Sequence, residues 1–221
     1  MTEVYDAIAE AVRQHGLAAR GGFVALPDDA VPECAADSPT ATVVMIGNNG
    51  RAMWDAFGGP HVAGPNPLDR WTCEVIGPIA RKHGARAVYP FDKPALPFQR
   101  WARRAWPLFT SPLGLLIDTE FGLWHALRTA LLFDHVLPLP ASVVGVSPCD
   151  SCVGKPCLST CPVDAFSAQG FDYVGCRTYL ATPTAHRCRD EGCGARNACP
   201  IGTSHTYSAE QSRFHMRAFR G

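Results

Sequence analysis

The sequence lacks a surplus of charge of either sign. Its 221 residues carry 20 lysines and arginines against 20 aspartates and glutamates. No long basic run breaks that balance, which argues against a protein that grips nucleic acid through its overall charge. No apolar run is long enough to span a bilayer. The opening segment, Met1 to Gly16, starts acidic and has no uninterrupted apolar core, so it does not read as a signal peptide. It reads instead as an amphipathic helix with Val4, Ile8, Ala11 and Val12 on one face. There is no internal repeat and no low-complexity tract. A hydrophobic fraction of 47% is that of a globular chain and excludes wholesale disorder. The eight histidines form no i, i+4 metal pair. Cysteine is nearly missing from the first two thirds, where only Cys34 and Cys73 occur, both expected as plain buried thiols. A cytoplasmic location is expected, and there a cysteine-rich segment points to metal or redox chemistry rather than disulfides.

Eight cysteines crowd the last third. Leu137-Pro138-Leu139-Pro140 marks the change, and the expected domains are residues 1–145 and 146–221. In the first, short apolar runs read as strands at Gly22 to Leu26, Ala41 to Ile46, Arg86 to Tyr89 and Leu113 to Ile117. A helix is expected from Asn66 to His83, with Asn66 capping it, Pro67 in its first turn and Gly84 as its stop. A second covers Leu96 to Ala105, with Arg100, Arg103 and Arg104 as a basic face. Gly47-Asn48-Asn49-Gly50 reads as a turn after a strand. Leu113 to Phe133 fits a helix or a hairpin, and periodicity does not decide between them.

The first cysteine block is Cys149-x2-Cys152-x4-Cys157-x3-Cys161-Pro162. It matches the bacterial ferredoxin run C-x2-C-x2-C-x3-C-P, whose fourth cysteine ligates the other cluster, with two extra residues in the second gap. The second block, Cys176-x11-Cys188-x4-Cys193-x5-Cys199-Pro200, is looser but also ends in Cys-Pro. Proline after a ligand turns the chain away, so the cysteine points back inward. Two four-thiolate 4Fe–4S clusters follow. By the ferredoxin logic Cys149, Cys152 and Cys157 are completed by Cys199, while Cys161 crosses to join Cys176, Cys188 and Cys193. Two zinc sites or four disulfides are the competing readings.

The C-terminal pattern resembles the ferredoxin-type domain of epoxyqueuosine reductases and their reductive-dehalogenase relatives. It has a three-cysteine run, a Cys-Pro, an isolated cysteine before Tyr-Leu (Cys176-Arg177-Thr178-Tyr179-Leu180) and a final Cys-Pro. Leu115 to Trp124 is similar to the hairpin that leads up to that domain. Phe121 to Arg128, and Thr42 to Phe57, are similar to segments of the CblC-type cobalamin-processing protein. Both families use a nitroreductase-like α+β domain to bind a corrinoid. The resemblance therefore implies a hairpin for the ambiguous stretch. It implies an α+β fold: a nitroreductase-like, corrinoid-binding domain followed by a small two-cluster ferredoxin-like domain. The implied cofactors are two 4Fe–4S clusters and a cobalamin.

The same resemblance puts Asp92 where epoxyqueuosine reductases carry an aspartate proposed as a proton donor; the plainer expectation is that Asp92 caps the following helix. Arg128 matches an arginine in the CblC-type hairpin and is expected to hold a cofactor or co-substrate, or to pair with Asp118 or Glu120. Trp124 is a cofactor wall or core packing. His125 is the one histidine to consider as a corrinoid axial ligand. The glycine-rich loop of epoxyqueuosine reductases is replaced by Trp106 to Pro112, and their tRNA-gripping helical repeats are missing, which argues against epoxyqueuosine chemistry. Arg213, Arg217 and Arg220, with His215, fall on one helical face, either solvated or a partner dock. The expected function is single-electron transfer from the clusters to a corrinoid, or to a small substrate reduced at it. Its electrons would come from a ferredoxin, a flavodoxin or a reductase. A ferredoxin-like carrier without corrinoid and a tRNA-modifying reductase are the alternatives.

Overall fold

The computed structural model describes residues 2–58, 63–167 and 169–221. It divides into two compact units, each built from two separate stretches. The first comprises Met1–Pro107 and His125–Val144, the second Leu108–Trp124 and Gly145–Gly221. The boundary expected near residue 145 is therefore crossed earlier as well, because residues 108–124 belong with the cysteine-rich segment.

The first unit opens with α1 (Glu3–Arg13), whose buried face is Tyr5, Ile8 and Val12. Val4, expected on that face, is exposed, and Tyr5 takes its place. The Tyr5 hydroxyl accepts the Gly21 N–H at 2.8 Å, so the aromatic satisfies a backbone donor while burying its ring. Strand β1 (Leu17–Val24) follows, then β2 (Thr42–Asn49), α2 (Ala52–Phe57), α3 (Pro67–Lys82), β3 (Arg86–Val88) and α4 (Phe98–Ala105). The chain leaves for β4 (Leu108–Thr110) and β5 (Leu116–Asp118), which belong to the second unit, and returns as β6 (His125–Phe133). The sheet order is β1-β2-β6-β3, antiparallel throughout. Residues Thr42 to Asn48 are buried without alternation, which is the signature of a central strand covered on both faces.

Several local expectations change. Gly47 to Asn49 is strand, not turn: Gly47 pairs with Leu127 and Asn49 with His125. A Cβ at Gly47 would stand 2.5 Å from the Ala126 carbonyl oxygen, so the glycine serves close strand approach. Asn66 does not cap α3 with its side chain; it adopts a left-handed backbone, and Pro67 occupies the first turn. Helix α4 starts at Phe98 after Pro97. Much of its expected basic face is spent internally. Arg100 Nη2 and Trp101 Nε1 donate to the Asp29 carbonyl at 2.7 and 2.8 Å, and Arg104 pairs with the buried Asp29 carboxylate.

The ambiguous stretch is a strand pair joined by a tight turn, but its strands enter different sheets. β5 pairs with β4, whereas β6 pairs with β2 and β3. Asp118 Oδ1 accepts from the Glu120 and Phe121 N–H groups at 2.8 and 3.0 Å and holds the turn.

In the second unit, α5 (Pro156–Ser159), the β7 (Phe166–Ser167) and β8 (Gly170–Phe171) hairpin, α6 (Tyr173–Leu180), α7 (His186–Asp190), α8 (Gly194–Asn197) and α9 (Ala209–Arg220) form a loop-rich body. Its apolar centre is Leu113, Ile117, Leu123 and Ala195 with Cys157 and Cys199. No helix among the described residues is long and apolar enough to cross a membrane.

Candidate functional site: two thiol sets and a polar sheet end

The eight C-terminal cysteines gather into two sets of four. Cys149, Cys152, Cys157 and Cys199 line one pocket together with Leu113, Ile117 and Leu123. Burial and the neighbouring Cys199 and Cys157 thiols push the Cys149 thiol up, and burial with Cys199 and Cys152 does the same for Cys157. In the other set, burial, then Cys193, Cys161 and Cys188, push Cys176 up to about 11. Cys193 is raised by burial and by Cys188 and Cys161. Each set thus joins three cysteines of one block to one of the other, with Cys161 and Cys199 crossing.

The local folds explain the placement. Cys157 rides α5, Cys176 α6 and Cys188 α7, while Cys193 precedes α8. The Ala195 and Arg196 N–H groups bond the Cys193 sulfur and oppose its upward shift. The Ala165 N–H donates to Cys161 Sγ at 3.4 Å. Such N–H···S bonds favour the thiolate and tune a bound cluster. All ten cysteines are free thiols, which removes the disulfide reading from this fold. No three His, Cys, Asp or Glu among the described residues converge tightly enough to hold a single metal ion. Thiols packed this closely oppose one another's ionisation, as the raised Cys149 and Cys157 in one set and Cys176 and Cys193 in the other show, so a bound, strongly positive centre would be needed to hold four thiolates together.

Arg196 lies in sequence between Cys193 and Cys199, one from each set. Its Nε donates to the Leu123 carbonyl at 3.2 Å, and its guanidinium covers the Trp124 and Tyr207 rings at 4.7 and 4.6 Å. Trp124 is 2% exposed and packs edge-on against Tyr207. These neighbours give Trp124 a packing role, one of its two expected readings. Arg196 carried no sequence signal beyond its position between Cys193 and Cys199.

The first unit gathers polar groups at one end of its sheet. Arg20 Nη1 donates to Asn49 Oδ1 at 2.8 Å and stacks on Trp106 at 3.9 Å. Arg128 Nε donates to Asn48 Oδ1 at 2.8 Å, and His125 stands opposite Asn49. Burial pushes the Asp69 carboxyl up, with Arg128 opposing the shift. One turn along α3, the Cys73 thiol is raised by burial and by nearby Asp92, Asp69 and Glu74, while the Tyr89 hydroxyl donates to its sulfur. Asp92 Oδ2 accepts the Tyr89 N–H at 2.8 Å. The expected helix-capping role of Asp92 is thereby replaced by a turn-closing one, since α4 begins only at Phe98. Asp92 and Arg128, far apart in sequence, come together around Cys73 and Asp69. Arg20, Asp69 and Tyr89 were not legible as site residues, because none sits in a motif.

No family model matches the chain, and no curated protein matches it in sequence. Solved structures do. A B12-trafficking protein, CblC, of C. elegans aligns with TM-score 0.55 and 12% identity over 100% of this chain and 97% of that one. An epoxyqueuosine reductase from Bacillus subtilis aligns with TM-score 0.52 and 15% identity over 93% of this chain and 68% of that one. The enzyme from Streptococcus thermophilus aligns with TM-score 0.52 and 13% identity over 89% and 65%. This chain shares the α+β fold of CblC and of the epoxyqueuosine reductases.

Proposed function

We propose that the chain is a cytoplasmic iron–sulfur oxidoreductase with two 4Fe–4S clusters in a ferredoxin-like second unit. They pass single electrons to a corrinoid held by the nitroreductase-like first unit, or to a small substrate reduced at it. The observation that carries this reading is the interleaving of the eight thiols into two fours, each borrowing one ligand from the other block. Cys149, Cys152, Cys157 and Cys199 would hold one cluster, and Cys161, Cys176, Cys188 and Cys193 the other. Bound clusters would supply one-electron reduction at low potential.

The residues of this chain do the rest. The apolar seat of Leu113, Ile117 and Leu123 excludes water from the first set. Arg196 is a cation without a carboxylate partner among the described residues, so it favours the more negative, reduced state of a nearby cluster. In the first unit, Arg128 and Arg20 offer donors to carboxamide or phosphate groups, and Asp92 is a carboxyl able to hand over a proton as a substrate is reduced. Support for the corrinoid comes from the fold shared with a B12-trafficking protein.

Anaerobic titration of the cluster-loaded protein with cob(II)alamin, followed by EPR, tests it. A bound, base-off cobalt spectrum is expected, weakened in Arg128→Ala. A free-cobalamin spectrum beside intact cluster signals would overturn the corrinoid half. It would favour a carrier without corrinoid, a reading that the Trp106 ring already stacked under Arg20 in place of a glycine loop also supports.

A further inference from the structure

We propose that the face formed by β8, α6 and the end of α9 is the docking surface for a small acidic one-electron carrier protein, which delivers electrons to the cluster ligated by Cys176. The proposal rests on the two-cluster reading above and names the partner of that site.

Phe171, Tyr173 and Val174 are 40, 45 and 73% exposed, an apolar group on a surface where such residues are usually scattered. They are not loose. The Tyr173 and Phe171 rings pack on Phe219 with centroids 5.4 and 6.2 Å apart, and Phe171 stacks on Phe166 at 4.9 Å. The patch is therefore pre-formed, and a partner pays little ordering entropy to meet it.

Its rim is basic. Arg177 lies over the Tyr173 ring, donates to the Tyr173 hydroxyl at 2.9 Å and reaches the Arg220 carbonyl, which ties α6 to the end of α9. Arg177, Arg217 and Arg220 are all exposed. Asp172, the exposed N-cap of α6, is a carboxylate beside the patch whose oxygen accepts the Gly175 N–H. Arg213, further back on α9, is paired with Asp190 at 3.5 Å and lies outside the rim. An apolar centre with a cationic border complements an acidic carrier and steers its approach.

Electron entry at this place is short. Cys176 lies one helical turn beyond Tyr173 on α6 and is itself partly exposed. The same residue types could suggest RNA, but the rings pack against one another rather than standing free for bases, and the chain's formal charge is zero.

The test uses the full chain with both clusters loaded. Reduced flavodoxin and an acidic ferredoxin are mixed with it by stopped flow, with photochemically generated deazaflavin radical as a reductant that needs no docking surface. For the wild type, reduction by the carriers should slow as salt rises. In Arg217→Glu/Arg220→Glu, and separately in Val174→Glu, the carrier rate constant should fall at least tenfold, with iron content and deazaflavin reduction unchanged. Unchanged carrier rates in both variants would overturn the proposal, as would a loaded wild type that neither carrier reduces. Loss of affinity for an RNA stem-loop with carrier rates unchanged would overturn it in favour of RNA. A wild type that takes up no iron would instead defeat the two-cluster reading beneath it.

Discussion

Gly122 and Gly202 offer the sharpest test of how the second unit is held closed. Both have left-handed backbones, at φ 57° and 71°, and each sits in a turn that closely approaches the other's backbone. A Cβ at Gly122 would land on the Ile201 carbonyl oxygen, and one at Gly202 would stand 2.5 Å from the Phe121 oxygen. Gly122→Ala therefore adds a left-handed penalty of about 1–2 kcal/mol. It also forces backbone apart, at a further cost of about 1–3 kcal/mol. Together these amount to about 2–5 kcal/mol, or a fall in melting temperature of about 4–20 °C for a chain of this size. The displaced residue is Ile201, two positions after Cys199, so the thiol set containing Cys199 should suffer first. Gly114→Ala is the control. Its φ is 72°, but nothing lies within 4 Å of its Cβ position. That variant should lose only about 1–2 kcal/mol and keep its iron. The assay is thermal unfolding beside iron and acid-labile sulfide per chain after anaerobic reconstitution. If Gly122→Ala matches Gly114→Ala in both melting temperature and iron, the close approach does not hold the site and the reasoning is refuted.

Two further substitutions probe the sites directly. Cys199→Ser and Cys161→Ser should each lower iron towards half the wild-type value, and their Mössbauer spectra should show different clusters lost; loss of the same one from both would contradict the crossed ligation. Asp69→Asn should raise the melting temperature at pH 7. Burial raises the Asp69 pKa, so the folded state prefers the protonated acid. The stability this confers is fully present below pH 3.8, the ordinary value, and is lost as pH rises through the folded pKa. The advantage of Asp69→Asn should accordingly vanish below about pH 3.8; a gain that persists there would mean that the carboxylate's charge is not the cause.

What the sequence made legible was what short spacing controls. Cys-Pro endings and cysteine gaps are local, and they pointed to the two crossed sets that the fold gathers. The Val43 to Ile46 part of β2 was legible because a central strand is buried on both faces and shows an unbroken apolar run. The start of β1 was not, since Ala18-Ala19-Arg20-Gly21-Gly22 has poor strand propensity and owes its extended form to pairing with β2. Gly47 to Asn49 has turn composition, but the register with β6 overrides it. The hairpin reading of residues 113–133 found the turn and missed the partners, because a strand pattern does not say which sheet it joins. Asp92 and Arg128 were named one by one. Their meeting around Cys73 depends on how α3 packs on β3 and β6, which no local pattern encodes.

The two-stretch construction of each unit has a consequence for synthesis. β6 is a central strand of the first sheet, yet residues 108–124 emerge from the ribosome before it and must wait outside that sheet. Ile117 then waits for Ile201; the roughly 80 residues between them take about 4–16 s to make. Until the end of that interval Leu113, Ile117 and Leu123 lack Ala195, Cys199 and Ile201 as partners, and Cys149, Cys152 and Cys157 lack the fourth member of their set. On the two-cluster proposal, iron delivered too early would meet three thiols where four are needed. Completion of the first thiol set is thus timed by the arrival of Cys199, late in the chain.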